Sequence, residues 1–311
     1  MGRRTSSRLW IAAALALAAT VFRAEPSAAA WDGFLLQTGT VFRETGDNFD
    51  FSLADWNRDG QPDLAAVKKN GTDSGATEVW IANGASNFHN HLLGTAVDLP
   101  PTDNTFDFCF ADWDRDGWVD LIALKKAATG THSTEVHVLS GASGFRRFVL
   151  QTGTPVHEGA DLFEFGTTDW DRDGRPDIVA IKKLQTGTNS TEVHILSAAS
   201  NYQQFLVQTG TPLHETGENF DFGVADWDAD GRGDLFAIKK SQTGTNSTEV
   251  HILSGASNFQ DWLVKTGTAL HETDSIFDFG VADWNRDGRP DVFAVKKSGT
   301  GSNRTEVHVL N

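Results

Sequence analysis

This sequence is poor in cysteine and has fewer basic than acidic residues. Cys109 is the only cysteine in 311 residues, so no disulfide can form within the chain. A fold in an oxidising compartment would then need another means of stabilisation. Lysine and arginine together number 26 against 42 aspartates and glutamates. Because no basic stripe is present to neutralise phosphates, nucleic acid is not an expected partner. We expect Cys109 to be a buried, inert thiol.

Long hydrophobic runs are also missing, apart from one at the N-terminus. The segment Leu9–Phe22 follows a basic start and precedes the small residues Ala28-Ala29-Ala30, which is the pattern of a secretory signal peptide. Its 14 residues are short for a membrane span. The sequence therefore predicts a signal peptide at 1–30, a secreted extracellular protein, one domain at 31–311, and no membrane span after signal removal.

What the sequence does contain is a nine-residue acidic stretch that occurs five times, each start 57 residues after the last. In the clearest copy, Asp169 to Asp177, side-chain oxygens occupy positions 1, 3, 5 and 9 and a glycine occupies position 6. Alternate residues can point inward at a hard cation while the glycine permits a sharp turn. Each copy therefore predicts one calcium site, about five in the chain. The predicted metal ligands are Asp55, Asn57, Asp59, Asp63, Asp112, Asp114, Asp116, Asp120, Asp169, Asp171, Asp173, Asp177, Asp226, Asp228, Asp230, Asp234, Asp283, Asn285, Asp287 and Asp291.

An alternative interpretation of these stretches is five acidic turns that hold no ion. Clustered carboxylates without a cation would repel one another, and two copies keep an oxygen ligand as asparagine, so a metal is favoured. The stretches are not EF-hand loops, because position 12 is alanine in all five copies, as at Ala180, where an EF-hand needs a glutamate.

The flanking segments predict strands. One unit reads as strand A at 220–225, strand B at 235–239, strand C at 249–253 and strand D at 262–266, separated by turn residues. Four strands in each unit of this length indicate a β-propeller blade. Because the chain begins with a D strand and ends after a C strand, we predict an all-β, five-bladed β-propeller of four-stranded blades, with the N-terminal strand closing the last blade.

The segment 277–295, with its run Phe-Asp-Phe-Gly-Val-Ala and the acidic stretch after it, resembles the FG-GAP or VCBS-type repeat. This family includes the integrin α propeller and several secreted propeller lectins. The resemblance implies calcium bound between strands A and B of each blade. The familiar propellers of the family have seven blades, whereas five are predicted here.

The connections between strand D and the next strand A carry repeated polar pairs. The candidate ligand-binding residues are His157, Glu158, His214, Glu215, His271 and Glu272. These side chains suit hydrogen bonding to sugar hydroxyls or to a protein surface, and the alternative is that they brace the loop. Catalysis by them is not expected, because no partner nucleophile is evident. Zinc binding lacks a third ligand at recognisable spacing.

Three other repeated features receive structural interpretations. We expect the tryptophan at loop position 2, as at Trp170, to wedge between blades rather than to offer a stacking surface for a sugar. The strand C histidines, such as His194, are expected to pack between blades. The first lysine of each Lys-Lys pair should lie across from a strand C glutamate, as Lys182 from Glu192.

The function predicted from these features is a secreted, calcium-binding recognition module without catalysis, which binds glycan or polysaccharide in the manner of a lectin. Near-identical sites around a ring would gain from avidity. The alternative is an integrin-like adhesion module that binds a cell-surface protein. A polysaccharide-active hydrolase is the least favoured reading, because an active site is expected to break the symmetry at one blade.

Overall fold

A computed structural model describes residues 31–311, which form five four-stranded antiparallel sheets. The predicted signal peptide, residues 1–30, lies outside the described residues. The strands are β1 (Phe34–Arg43), β2 (Phe49–Ala54), β3 (Asp63–Lys68), β4 (Glu78–Ala82), β5 (His91–Ala96), β6 (Phe106–Ala111), β7 (Asp120–Lys125), β8 (Ser133–Leu139), β9 (Phe148–His157), β10 (Phe163–Thr168), β11 (Asp177–Lys182), β12 (Ser190–Leu196), β13 (Phe205–His214), β14 (Phe220–Ala225), β15 (Asp234–Lys239), β16 (Ser247–Leu253), β17 (Trp262–His271), β18 (Phe277–Ala282), β19 (Asp291–Lys296) and β20 (Arg304–Leu310). The short 3-10 helices are Gly46–Asn48, Gly84–Ser86, Gly141–Ser143, Ala198–Ser200 and Gly217–Asn219.

Each sheet is one blade of a propeller. Blade 1 is β2–β5, blade 2 is β6–β9, blade 3 is β10–β13, blade 4 is β14–β17, and blade 5 joins β18–β20 to β1. Within blade 5, β1 runs antiparallel to β20, with Phe34 opposite Leu310 and Gly39 opposite Glu306. The predicted closure of the last blade by the N-terminal strand is therefore confirmed, together with the fold class.

The core lies between blades rather than within them. The second strand of each blade is buried on both faces up to its final lysine, as in β11, because neighbouring blades cover it on each side. Trp170 of blade 3 packs on Phe259 of blade 4 with ring centroids 5.2 Å apart, and Trp227 of blade 4 packs on Trp31 at 5.1 Å. The loop tryptophans thus wedge between blades, as predicted, and the buried Trp170 offers no open face for a sugar.

The fourth strand of a blade is longer than the sequence suggested. Strand D of blade 4 was expected to end at residue 266, but β17 continues to His271. The pairing of β17 with β16 is regular from Val264 to Gly267, which lies opposite Glu249. The register then shifts at a bulge, and pairing resumes with His271 opposite Ser247. Gly267 makes this approach feasible, since a Cβ there would lie 2.8 Å from Ser247 Oγ. The glycine that looked like a turn residue is therefore a close-contact residue inside a strand.

Three smaller expectations have outcomes here. Cys109 is a free, buried cysteine, and burial raises the pKa of its thiol to about 12. Lys182 lies directly opposite Glu192, as predicted. His194 packs near Phe205 of its own blade, with ring centroids 6.0 Å apart, and burial lowers its pKa; packing of this histidine between blades stays a prediction. Within residues 31–311, no helix has the length and apolar character needed to cross a membrane.

Candidate functional site

The acidic stretches form the A–B connections, which we name loops 1 to 5 (residues 55–63, 112–120, 169–177, 226–234 and 283–291). The carboxylates of each loop accept hydrogen bonds from main-chain N–H groups of the same loop and so stabilise its turn. In loop 3, Asp169 Oδ2 accepts from Gly174 N at 2.9 Å and Asp173 Oδ1 accepts from Arg175 N at 2.8 Å. Position 4 adopts a left-handed backbone, with Arg172 at φ 61°. The side chains at alternate positions are thereby turned towards one centre.

Position 9 has a second role in the fold. Asp177 is fully buried, its Oδ1 accepts from Ala198 N at 2.8 Å and its Oδ2 accepts from Trp170 N at 3.0 Å. The carboxylate therefore joins its loop to the C–D turn of the same blade. Burial raises its pKa to about 6, against the lowering effect of the Ala198 N–H. The corresponding latch recurs in blades 1, 2 and 4.

The loops fit a hard divalent cation. Three sets each place one carboxylate oxygen per residue within 4.8 Å of the others, and they are Asp112, Asp114 and Asp120; Asp169, Asp171 and Asp177; and Asp226, Asp228 and Asp230. In loop 2, Asp112 Oδ1 is buried and has no hydrogen-bond partner within the described part of the chain. A cation would give this oxygen the partner that burial otherwise denies it. In loops 1 and 5 the residue at position 3 is an asparagine, and Asn57 and Asn285 donate to Asp59 and Asp287.

The glutamate and the histidine of each His-Glu pair make different contacts. Glu215 Oε1 accepts from both the N–H and the hydroxyl of Thr186, at 2.7 and 2.9 Å, and these bonds lower its pKa. Glu158, Glu272 and Glu44 make the same bonds to a threonine of the B–C loop. The glutamates therefore brace two loops against each other. His214 ends β13, lies exposed, and contacts the edge of Phe220. Ligand binding by these residues remains a prediction.

A cavity of about 530 Å³ lies at the centre of the ring, at the end opposite loops 1 to 5. It is built in layers, each with one residue per blade at the same 57-residue spacing. The exposed mouth residues are Asp47, Asn104, Asp161, Glu218 and Ser275. The inner acids, on the first strand of each blade, are Asp50, Asp107, Glu164, Asp221 and Asp278. The buried lysines are Lys69, Lys126, Lys183, Lys240 and Lys297.

The inner acids and the buried lysines form ion pairs around the axis. Lys126 Nζ lies 2.6 Å from Asp107 Oδ1, and Lys240 Nζ lies 2.7 Å from Asp221 Oδ1. Such pairs keep charged groups inside a protein without leaving them uncompensated. In blade 2, however, Asp107 Oδ2 is buried with no hydrogen-bond partner among residues 31–311. This part of the wall has an acceptor to offer.

Blade 3 departs from the pattern, because its inner acid is Glu164. Its Oε1 accepts from the Phe222 N–H of blade 4 at 2.7 Å, while its Oε2 is 3.7 Å from Lys183 Nζ. Lys183 is closer to Glu218, at 3.4 Å. Burial and the nearby charge of Asp221 raise the pKa of Glu164 to about 8. The raised pKa favours the protonated form of Glu164 at neutral pH, next to the Asp221 side chain that pairs with Lys240.

Sequence reasoning missed this cavity. The signal was present, because the second lysine of each Lys-Lys pair and the acid at the second position of strand A recur at one spacing. We assigned the first lysine to a cross-strand pair but gave the second no partner. Its partner lies 19 residues earlier on the neighbouring strand, as Asp50 does for Lys69.

The fold and these loops define a class, a five-bladed β-propeller whose A–B loops are acidic. A family model described as FG-GAP-like repeat matches residues 55–123 and 226–294. These two matches and the five four-stranded sheets support an FG-GAP repeat β-propeller. No curated protein matches it by sequence.

Solved structures with a similar fold include two glycosidases. The α-L-arabinofuranosidase from Lactobacillus brevis aligns with a TM-score of 0.50 and 9% identity, over 87% of this chain and 91% of that one. The catalytic domain of the Coprinopsis cinerea GH62 α-L-arabinofuranosidase aligns with a TM-score of 0.56 and 8% identity, over 91% of this chain and 98% of that one. At such identities the likeness concerns the fold alone.

These neighbours correct one expectation. The prediction that the chain is not an enzyme was wrong as a deduction from its fold, because both structures are hydrolases built on a comparable propeller. The argument from symmetry fails as well. The ring of inner acids departs from five-fold symmetry at one blade, where Glu164 replaces aspartate, and a departure at one blade is what an active site in a repeat protein is expected to show.

Proposed function

We propose that this chain is an exported, calcium-binding propeller that recognises carbohydrate in its central cavity. Export is supported by the signal-like pattern of residues 1–30. Calcium is supported by the grouped carboxylates of loops 2 to 4 and by the buried, unpartnered oxygen of Asp112. With one ion in each loop, five ions would hold the blades and take the place of disulfides as the stabilising element.

The observation that carries the recognition proposal is the polar central cavity. Its size falls within the range of about 300–1,000 Å³ typical of small-ligand sites. A sugar hydroxyl both donates and accepts a hydrogen bond, and the cavity offers carboxylate acceptors beside ammonium donors. The exposed mouth ring adds Asn104 and Ser275, and the buried Asp107 Oδ2 has an unmet need for a donor. A saccharide hydroxyl suits this wall better than an apolar ligand would.

The structural neighbours support the same class of ligand, since both are named for action on arabinofuranosides. In this proposal one saccharide binds on the axis. The prediction of repeated sites on the D–A loops differs in stoichiometry, because each loop with a histidine such as His214 would bind its own saccharide and one chain would bind several.

Binding of the calcium-loaded protein to a broad glycan array, followed by calorimetric titration of the best oligosaccharide, tests the proposal. We expect one saccharide per chain and a loss of about tenfold in affinity for Asp161→Ala at the mouth, the effect of one charge-assisted hydrogen bond. Asp261→Ala is the matched control, because Asp261 is an exposed aspartate outside the cavity.

Several results would overturn the cavity proposal. Several saccharides per chain, with affinity lost in His214→Ala, would place recognition on the D–A loops. Silence across the array by protein that is folded and calcium-loaded would exclude carbohydrate. Capture of a cell-surface protein that competing sugars do not release would favour the integrin-like alternative.

Glycoside hydrolysis in the same cavity is the second candidate, and Glu164 favours it. Enzymes of this kind pair a carboxylic acid with an ionised carboxylate across the bond that breaks. Here Glu164, with its pKa raised to about 8, would give its proton to the leaving oxygen as the glycosidic C–O bond breaks. Water would add to the anomeric carbon and pass its proton to a neighbouring carboxylate such as Asp221.

Release of arabinose from aryl arabinofuranosides and arabinoxylan tests this candidate. We expect activity to fall about 100-fold or more in Glu164→Gln, as for loss of a general acid. Glu164→Asp restores the residue of the other four blades and serves as the control of similar charge. Measurable saccharide binding with no hydrolysis by the wild type, or equal rates in wild type and Glu164→Gln, would rule out this role.

A further inference from the structure

The arginine at position 4 of a metal loop reaches across the blade boundary to the next loop. Arg172 of loop 3 donates from Nε to Gly231 O at 2.9 Å and from Nη2 to Asp230 O at 2.6 Å. Both acceptors are main-chain carbonyls at positions 5 and 6 of loop 4. Position 4 lies between two predicted ligands of its own loop. The backbone of the arginine is therefore part of one predicted calcium site, while its side chain is hydrogen-bonded to the next loop.

A hydrogen bond from the arginine at position 4 to a main-chain carbonyl of the next loop recurs at two other boundaries, and a fourth arginine stacks on a tryptophan of the next loop. Arg115 of loop 2 donates to Gly174 O of loop 3 at 3.0 Å, and Arg286 of loop 5 donates to Asp59 O of loop 1 at 2.9 Å. Arg58 of loop 1 lies over Gly117 and Trp118 of loop 2, with its guanidinium carbon 5.2 Å from the centre of the Trp118 ring.

One boundary has no such contact. Position 4 of loop 4 is Ala229, which keeps the left-handed backbone at φ 56° but has no side chain to extend. A Cβ built on Gly288 of loop 5 would meet nothing within 4 Å, whereas one built on Gly231 would lie 2.6 Å from Arg172 Nη2. The five loops are therefore joined in the order 5, 1, 2, 3, 4, as an open chain with one break.

We propose that these arginines couple neighbouring calcium sites, so that an ion in one loop prepares the next loop for its own ion. An ion bound by positions 3 and 5 would fix the backbone of position 4 and hence the direction of the guanidinium. The guanidinium then holds the carbonyls of the next loop. Planar, two-pronged donors suit this task, which lysine cannot match. The inference rests on the proposed binding of calcium but not on the proposed carbohydrate ligand.

Charge alone predicts the opposite result, which makes the sign of the effect decisive. A guanidinium near a calcium site repels the ion, so its removal should tighten binding if electrostatics were the whole effect. If the arginine prepares the loop, its removal should weaken binding. In the same way, an arginine added at Ala229 should weaken binding by charge and strengthen it by coupling.

Titration of the chelator-treated protein with CaCl2, followed by calorimetry and by competition with a chromophoric chelator, tests the proposal. We expect one of five equivalents to bind about fivefold more weakly in Arg172→Ala and in Arg172→Lys, the lower end of couplings between sites. Ala229→Arg should bind one equivalent about fivefold more tightly and steepen the isotherm. Arg147→Ala is the control, because it removes an exposed arginine of the C–D turn for which the described structure shows no side-chain bond. Far-UV circular dichroism of each calcium-free variant must show the same folded state.

The possible results separate the premise from the inference. If the wild type binds no calcium, the metal loops themselves fail. If it binds five equivalents but Arg172→Ala binds as tightly as Arg147→Ala or more tightly, the coupling is wrong while calcium binding stands. If Ala229→Arg binds more weakly than the wild type, charge outweighs any preparation of the loop and the proposal falls.

Discussion

Substitution of two aspartates of loop 3 distinguishes a role in binding calcium from a role in joining the loop to the C–D turn of its blade. Asp171 at position 3 is exposed and accepts one hydrogen bond, from Asp173 N at 3.1 Å. Asp177 at position 9 is buried and accepts from Trp170 N and Ala198 N. Both residues belong to the same set of three clustered aspartates, so calcium binding should depend on each of them. Only Asp177 should matter without the ion.

The magnitudes follow from the contacts. Loss of one calcium site with a Kd of about 10⁻⁴ M costs about 1.4 kcal/mol at 1 mM calcium, and nothing in excess chelator. Asp177→Ala leaves two buried N–H groups without acceptors, at about 1–3 kcal/mol each. Relief of a buried carboxylate, whose pKa is raised to about 6, offsets part of this cost. We expect a net loss of about 2–4 kcal/mol in EDTA, and about 1.4 kcal/mol more in 1 mM calcium, because the variant loses the ion as well.

Urea unfolding of the wild type, Asp171→Ala and Asp177→Ala, each in 1 mM calcium and in excess EDTA, measures the six free energies. Asp171→Ala should match the wild type in EDTA and fall below it in calcium. Equal destabilisation of Asp171→Ala in both buffers would show that the loop holds no ion. Wild-type stability of Asp177→Ala in EDTA would show that the latch contributes nothing.

Three further predictions concern the core, the cavity and the thiol. Phe259→Ala should lower the free energy of unfolding by about 3–5 kcal/mol, because Phe259 is fully buried against Trp170; a loss under about 1 kcal/mol in urea would contradict the blade-to-blade wedge. Glu164 has a folded pKa of about 8 against 4.5 for an ordinary glutamate, so the native state binds the extra proton. Its contribution to stability is complete below pH 4.5 and is lost as the pH rises through about 8, so Glu164→Gln should gain on the wild type from pH 5 to pH 9 in urea unfolding; a constant difference would refute the assignment. The buried Cys109, with a thiol pKa raised to about 12, should react with a thiol reagent only after denaturation, and prompt labelling of native protein would disprove its burial.

Much of this fold could be predicted from short-range sequence patterns. The period of 57 residues, the oxygens at alternate loop positions and the glycine at position 6 are local features, and they predicted the loops and the blade number. Closure of the ring needed only a count of strands, since a chain that starts with a D strand and ends with a C strand has one way to complete its last blade. The burial of Trp170 and Cys109 was predicted correctly, because tryptophan recurs at the same loop position in all five repeats and Cys109 stands between two phenylalanines.

The central cavity, the inter-loop arginines and the end of strand D were decided by the tertiary structure alone. Glu164 accepts from Phe222 N of blade 4, and Arg172 contacts loop 4, because the ring brings the edge of each blade against residues about one repeat away. No local preference encodes those meetings, and a buried charge takes its pKa from neighbours that the chain order does not reveal. The amino-acid sequence thus determined the repeating unit and its number, while closure of the ring determined which polar groups face one another, because only at the axis and at the blade boundaries do residues from different repeats come within bonding distance.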